Sequence, residues 1–391
     1  MKTTQWRFYI MSNVNLIVQI MNALNNKYVQ REKEIEAVFL GLLSRQHVLL
    51  IGSAGTSKSA LIMDIANSIQ DANYFQWLLT KFTKEEELFG SLNLDSLENG
   101  VYERNTTYKL PQANTAFLDE IFKSNSAILN SLLTMLNERL YYNYSSPIEV
   151  PLSTLIGASN EYPEDDSLIA LFDRFLLRRE VEYIKEDKDF ERMLVIDGDA
   201  IQIPTITLSE LENMQYLCSL VTIPNDIIQN LVRIRADLKN EGIQPSDRRY
   251  KQSLSILKAK AFLAGRIVVE LDDLEILTDI LWEEISQKPK VESIIQKLDV
   301  VTYEIKELVS VMVDLREEGG KINQETDLKR RSEILLDLVK KASDISKELE
   351  SLKVKYSNIW NDEYSQAVQH ECENIQRFKE TLAQQMTVVA E

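Results

Sequence analysis

The apolar positions of the chain change period several times, and each change marks an element. Residues 12–44 carry apolar side chains at helical spacing, through Val14, Leu16, Ile17, Ile20 and Leu24 and again through Ile35, Val38, Phe39 and Leu42. Asn25-Asn26-Lys27-Tyr28 interrupts that stripe. His47-Val48-Leu49-Leu50-Ile51 is then a short continuous run stopped by Gly52, which predicts a strand buried on both faces. Helical spacing resumes over Ala60–Ile69. Two further short runs, Thr115–Leu118 and Ser153–Ser159, end in Asp119-Glu120 and in Asn160. Buried strands alternating with helices predict an α/β domain with a doubly wound parallel sheet over 14–184. Polar groups at the strand ends stand where such sheets bind ligands.

Past this region the strand signal disappears. Residues 185–207 read as a polar connector, and 208–289 as an amphipathic, all-α second domain. After Pro289 there is no proline. Ile294, Leu298, Val301, Ile305, Leu308, Met312 and Leu315 form one stripe, and Leu338, Ala342, Ile345, Leu349, Leu352, Tyr356 and Ile359 a second. Glu318-Gly319-Gly320-Lys321 reads as a helix stop and turn between them. Within 290–391 the expectation is therefore an antiparallel helical hairpin with coiled-coil-like packing over 291 to about 361, followed by more helix to near the C-terminus. The first thirteen residues are expected to be a disordered leader, with Met11 an alternative start.

Composition narrows the classes. With 391 residues, 44% hydrophobic and 27% charged, the chain has the make-up of a multidomain globular protein. A net charge of −17 disfavours nucleic acid as a bulk partner. The two cysteines, Cys218 and Cys372, offer no disulfide framework, and with only His47 and His370 no Cys/His cluster has zinc-ligand spacing. No apolar run reaches the roughly 20 residues that span a bilayer, and the N-terminus lacks a signal-peptide core. The expected location is the cytoplasm.

The strongest chemical signal is Gly52-Ser53-Ala54-Gly55-Thr56-Ser57-Lys58-Ser59, between the first strand and the helix that begins near Ala60. In a loop of this kind backbone N–H groups surround phosphates and the helix dipole adds to them. Lys58 would reach the β and γ phosphates, and the Ser59 hydroxyl would hold Mg²⁺. Ser57 occupies the place where the general pattern has glycine; a small residue fits there if its backbone angles are ordinary. Asp119 would bind Mg²⁺ through its water shell, and Glu120 would polarise the attacking water. Asn160 can orient that water. Two arginine sites, Asp173-Arg174-Phe175 and Ser246-Asp247-Arg248-Arg249-Tyr250, can supply charge to a phosphoryl transition state, although each could equally be a surface salt bridge.

Taken in order, from about Val14 to Arg266, these motifs resemble the MoxR family of AAA+ ATPases. The strings around Phe117–Ile121, Asn137-Glu138-Arg139, Ala158-Ser159-Asn160-Glu161 and Ser246–Arg249 are most similar to its RavA subgroup. The resemblance makes 14–184 the AAA+ core and 208–289 the helical lid. It makes Gly52–Ser59 the Walker A loop, with Asp119 and Glu120 as Walker B and Asn160 as sensor 1. Arg174 would be the finger that reaches a neighbouring subunit, and Arg248 sensor 2 from the lid. Tyr28-Val29-Gln30-Arg31 matches the segment that lines the adenine site, with Gln30 where the family has glycine. Phe82–Leu110 resembles the helix-2 insert and Arg139–Val150 the hairpin before sensor 1. The resemblance implies ATP and Mg²⁺, hexameric rings and chaperone-like remodelling of protein clients. It also implies a partner with a von Willebrand factor A domain. The alternatives are a nucleotide-gated assembly scaffold with little turnover and a DNA-acting motor.

Overall fold

The computed structural model describes residues 2–144, 146–163, 165–298, 300–321, 328–356 and 362–390. Two compact units divide the chain, Met1–Glu292 and Ser293–Glu391.

In the first unit α1 (Lys2–Lys27) and α2 (Glu32–Ser44) precede β1 (Val48–Ile51), and α3 (Lys58–Asn67) leaves it. Then come β2 (Ile69–Gln70), β3 (Tyr74–Leu78) and the short helices α4 (Glu85–Phe89) and α5 (Leu94–Glu98). β4 (Thr115–Asp119) leads to α6 (Ser126–Glu138), whose start is capped by Asn125 Oδ1 accepting the Ile128 N–H. β5 (Leu140–Asn143) and β6 (Ser146–Glu149) pair as an antiparallel hairpin, within the stretch expected to form one; residue 145 between them lies outside the described residues. β7 (Thr154–Ser159), α7 (Asp166–Phe172) and β8 (Leu177–Glu180) complete the α/β part.

Five strands form one parallel sheet in the order β3-β4-β7-β1-β8. All four residues of β1 are at most 3% exposed. Burial of each such aliphatic side chain contributes about 1.5–3 kcal/mol, which holds this continuously apolar run inside the sheet between β7 and β8. The strand order sets β4, β7 and β1 side by side. The residues that follow these three strands are therefore delivered to a single sheet edge, the usual ligand crevice of an open α/β sheet. His47, entering β1, is buried and ties this core together. Its Nδ1 accepts the Leu155 N–H at 3.0 Å, and Nε2 accordingly donates to the Leu136 carbonyl at 3.2 Å. Burial pushes its pKa down to about 3, so the ring is neutral.

β3 and β8 carry no clear strand signal. β8 reads Leu-Arg-Arg-Glu, and Arg178 inside it is 1% exposed because its guanidinium finds carbonyl acceptors within the core. A charged strand of this sort cannot be recognised from hydropathy.

Two expectations change here. Where a disordered leader to residue 13 is expected, α1 runs unbroken from Lys2; between Lys2 and Lys27 no proline or glycine gives the helix a place to stop. Where 185–207 reads as a connector, α8 (Asp187–Val195) forms, and β9 (Ile206–Thr207) pairs in parallel with β2. None of the α8 residues is buried, which explains its polar, linker-like composition.

The remainder of this unit is helical: α9 (Leu208–Ser219), α10 (Asn225–Asn240), α11 (Asp247–Leu263) and a 3-10 segment over Leu271–Asp279, before α12 (Lys288–Gln296). Thr207 and Glu210 close a reciprocal capping box on α9.

The second unit contains α13 (Val300–Lys321), α14 (Leu328–Lys355) and α15 (Asp362–Ala390). Lys355 pairs with Glu304 at 2.7 Å, which makes α13 and α14 antiparallel, as expected. α15 packs on both, through Ile375, Leu382 and Val368, so the arrangement is a three-helix bundle rather than a hairpin alone. The first stripe also breaks at Leu298, between α12 and α13. The expected stop at Glu318–Lys321 is helical instead. Gly319 is buried there because a Cβ on it would lie 3.2 Å from the Phe378 ring, so the glycine admits an aromatic neighbour. Ile359 of the second stripe lies outside the described residues.

Candidate nucleotide site

The loop after β1 is anchored at its base and open at its crest. A Cβ on Gly52 would meet the Val181 carbonyl oxygen at 2.1 Å, so only glycine lets the loop leave the strand beside β8. Ser53, Ala54 and Gly55 are exposed. Ser57 has φ 63° and ψ 17°, the left-handed region. Its backbone angles are therefore not ordinary, contrary to the condition set from sequence. This is the reason glycine is usual at the position, and a non-glycine residue there carries about 1–2 kcal/mol of strain. Glu120 is likewise left-handed, at φ 54°.

Lys58 is buried, and its Nζ donates to the Gly52 carbonyl at 2.6 Å, the Ser53 carbonyl at 2.8 Å and Thr56 Oγ1 at 3.0 Å. Burial lowers its pKa, while Asp119 and Glu120 act in the opposite sense. Three loop oxygens thus fold around one ammonium, the geometry of a cation able to exchange them for phosphate oxygens. The Ser59 hydroxyl donates to Asp119 Oδ2 at 3.0 Å across the β1 and β4 ends. Among the described residues no group of three Asp, Glu, His or Cys side chains could by itself hold a metal ion. Ser59 and Asp119 offer the hard oxygen donors that would hold Mg²⁺ beside a bound triphosphate.

Asn160, after β7, donates through Nδ2 to Glu120 Oε1. Lys123 faces the other carboxylate oxygen of Glu120 at 3.2 Å. The Tyr28–Arg31 segment is bound to the same corner. Tyr28 donates to Asp64 of α3 at 2.7 Å, and Val29 is 5% exposed. Gln30 has φ 55°, which explains the family's glycine, and its side chain instead bonds Asp189 and the Lys185 N–H. Arg31, the last residue of the same sequence segment, is buried; it donates to the Thr56 carbonyl in the loop at 3.2 Å and to the Glu182 carbonyl at 2.8 Å. Tyr183, which the sequence did not flag, donates to the Ala54 carbonyl at 3.1 Å.

The two arginines gather elsewhere. Arg174 Nη1 lies 3.2 Å from Asp173 Oδ2, and Arg248 donates to that same oxygen and to Asn137 Oδ1 at 3.2 Å. Among the described residues no hydrogen bond or ion pair joins either arginine to Gly52–Ser59, Asp119, Glu120 or Asn160. Phe175 holds this corner in register: it is fully buried, and Gly157 of β7 leaves the space its ring fills. Ser246 caps α11 through the Arg249 N–H, so Arg248 and Arg249 occupy its first turn. A helix N-terminus disfavours cations by about 0.3–1 kcal/mol each, a cost accepted where a function or a buried contact needs them.

A five-stranded parallel sheet with this loop, an acid pair at the end of β4, an asparagine just after β7 and a helical lid defines an AAA+ ATPase fold. Family models match along the chain: the MoxR domain of the MoxR-vWA-beta-propeller ternary systems over residues 15–224, and an AAA lid domain over 226–295. The chain belongs to the MoxR family. It is 42% identical over 268 residues to the uncharacterized protein MJ0079 of Methanocaldococcus jannaschii, covering 68% of this chain and 70% of that one. It is 28% identical to the structural protein ORF618 of Acidianus two-tailed virus, covering 66% of this chain and 40% of that one. It is 24% identical to the chaperone MoxR1 of Mycobacterium tuberculosis over 65% of this chain and 71% of that one. Among solved structures, a Cytophaga hutchinsonii protein designated an ATPase superposes with a TM-score of 0.61 at 18% identity, covering 76% of this chain and 97% of that one, a likeness of fold. Among the described residues no helix is long and apolar enough to cross a membrane.

Proposed function

We propose that the chain hydrolyses ATP with Mg²⁺ and works as a ring, remodelling protein partners as a chaperone-like motor of RavA type. The observation that carries this reading is a division of labour. Lys58, Ser59, Asp119, Glu120 and Asn160 meet at one sheet edge, whereas Arg174 and Arg248 stand together at another place. A hydrolytic site that lacks its arginine is completed by a second copy of the chain, and a closed cyclic ring gives every copy such a neighbour.

In this reading the loop N–H groups and Lys58 bind the triphosphate, and Ser59 and Asp119 hold Mg²⁺. The metal supplies charge neutralisation at the β and γ phosphates. Glu120 takes a proton from the attacking water, and Asn160 holds that carboxylate and the water in line. Arg174 of an adjacent copy stabilises charge on the transferred phosphoryl group. The description of the matched family, a ternary system with vWA and β-propeller proteins, supports a partner with a von Willebrand factor A domain.

A second reading, the assembly scaffold with little turnover, has one observation in its favour: Glu120 is engaged by Asn160 and Lys123 rather than free. Steady-state phosphate release separates the two. The motor reading expects turnover that Glu120→Gln abolishes while ATP stays bound; no phosphate release from the parent, at any protein concentration, would leave the scaffold.

A further inference from the structure

One carboxylate, Asp173, stands among four guanidinium groups. Its Oδ2 is shared by Arg174 at 3.2 Å and by Arg248, and its Oδ1 lies 3.7 Å from Arg249 Nε and 3.9 Å from Arg178 Nη2. Two of the four come from the core and two from α11 of the lid. They also differ in exposure. Arg178 and Arg249 are 1% and 2% exposed, whereas Arg174 and Arg248 reach the surface.

The buried pair has acceptors of its own. Arg178 donates to the carbonyls of Phe172, Phe175 and Trp282, and its guanidinium lies 3.8 Å above the Phe172 ring. Arg249 donates to the carbonyls of Leu176, Ile280 and Phe175. Each therefore stitches residues 172–176 of the core to the lid, one through Trp282 and the other through Ile280 and its own helix. The exposed pair has less. Arg174 keeps a buried Nε without a partner, and beyond Asn137 both heads depend on one shared oxygen. Glu283 adds a second carboxylate beside Arg178 and Arg249, and two acids among four guanidiniums still leave a positive excess that attracts an anion.

We propose that Asp173 is a positioning residue: it holds Arg174 and Arg248 side by side as one two-pronged receptor for the triphosphate bound to a neighbouring copy. This rests on the reading above, in which Arg174 acts in trans. Asp173 belongs to the core and Arg248 to the lid, so the receptor is assembled only when lid and core are docked. Arg248 then serves the neighbour's nucleotide beside Arg174, instead of closing over the nucleotide of its own chain. When the triphosphate arrives, its oxygens take over the guanidinium N–H groups that Asp173 occupies, while Arg178 and Arg249 retain the carboxylate.

Asp173→Asn keeps the shape and removes the charge. The expected result is a fall in the maximal rate of ATP hydrolysis of at least tenfold, with a fluorescent ATP analogue bound within twofold of the parent affinity and a melting temperature within a few degrees. Asp173→Glu, which retains both carboxylate oxygens, is expected to recover most of the rate. Adding Arg248→Ala to Asp173→Asn is expected to cost little more, because the two act as a unit. If Asp173→Asn hydrolyses at the parental rate while Arg174→Ala is inactive, the positioning role is wrong and the trans reading stands. If Arg174→Ala is itself as active as the parent, the trans reading fails first. If the rate falls only in step with melting temperature and analogue binding, Asp173 is merely structural and the proposal is overturned.

Discussion

The nucleotide corner and the arginine corner use charge in opposite ways. At the first, the Lys58 ammonium is surrounded by oxygens of its own loop, and two carboxylates stand at the end of β4. At the second, four guanidiniums surround one carboxylate. The first is local, assembled from residues at strand ends that adjoin in one sheet. The second needs core and lid together and is held through backbone carbonyls. The proposed ring uses both properties: a pocket in each copy, and a receptor that depends on lid and core being docked.

The largest effects should come from removing chemistry at the first corner. Lys58→Ala is expected to abolish detectable nucleotide binding. Glu120→Gln is expected to lower the hydrolysis rate by about 10²–10⁴-fold with binding intact, the range for losing a general base. Filter retention of labelled ATP alongside phosphate release checks both; equal loss of binding in the two variants would erase the distinction between them.

Next come the buried arginines. Arg178→Met leaves the carbonyls of Phe172, Phe175 and Trp282 without their donor, and should reduce the unfolding free energy by about 3 kcal/mol or more. Denaturant titration measures it. A loss within ~0.5 kcal/mol would mean that the stitching of lid to core lies elsewhere.

The pH dependence of stability isolates the sheet from both corners. His47 has a folded-state pKa of about 3 against an ordinary value near 6.5. Only the unfolded state gains the proton between those values, so its contribution is complete above about pH 6.5 and falls as the pH drops, by about 2 kcal/mol at pH 5. His47→Asn, which keeps an acceptor for the Leu155 N–H, should flatten that limb of the stability curve; an unchanged slope would assign it to other groups.

The smallest expected effect is also the one sequence most nearly anticipated. Ser57→Gly relieves a left-handed serine but loosens the unfolded chain, for a net gain of about 0.5–1 kcal/mol in stability. Thermal melts of the two proteins decide it, and a loss would mean that the Ser57 side chain makes up the strain.

These cases also show what a sequence can reveal. The loop, the acid pair and Asn160 were legible because each follows a continuous apolar run, and the strand order brings those runs together. The departures at Ser57 and Gln30 were visible as departures, but their cause, positive φ, was not. Arg178 was opaque for a different reason, as were the buried contacts of Asp173 and Arg249 within the two arginine sites. A charge buried against backbone carbonyls looks, in one dimension, like a charge in water, and β8 was missed with it. Gly319 misled in the same way: a glycine that admits the Phe378 ring is indistinguishable from one that ends a helix.

The account depends most on the arginine corner of one copy completing the nucleotide corner of another. Glu120→Gln and Arg174→Ala, each inactive alone, can be mixed before nucleotide is added and assayed for phosphate release. Complementation in trans predicts that activity returns, because roughly a quarter of the sites in randomly mixed rings pair an intact Glu120 with an intact Arg174. If every mixture, including rings co-assembled from co-expressed subunits, remains as inactive as its components, both residues act within one chain and the division of labour is refuted.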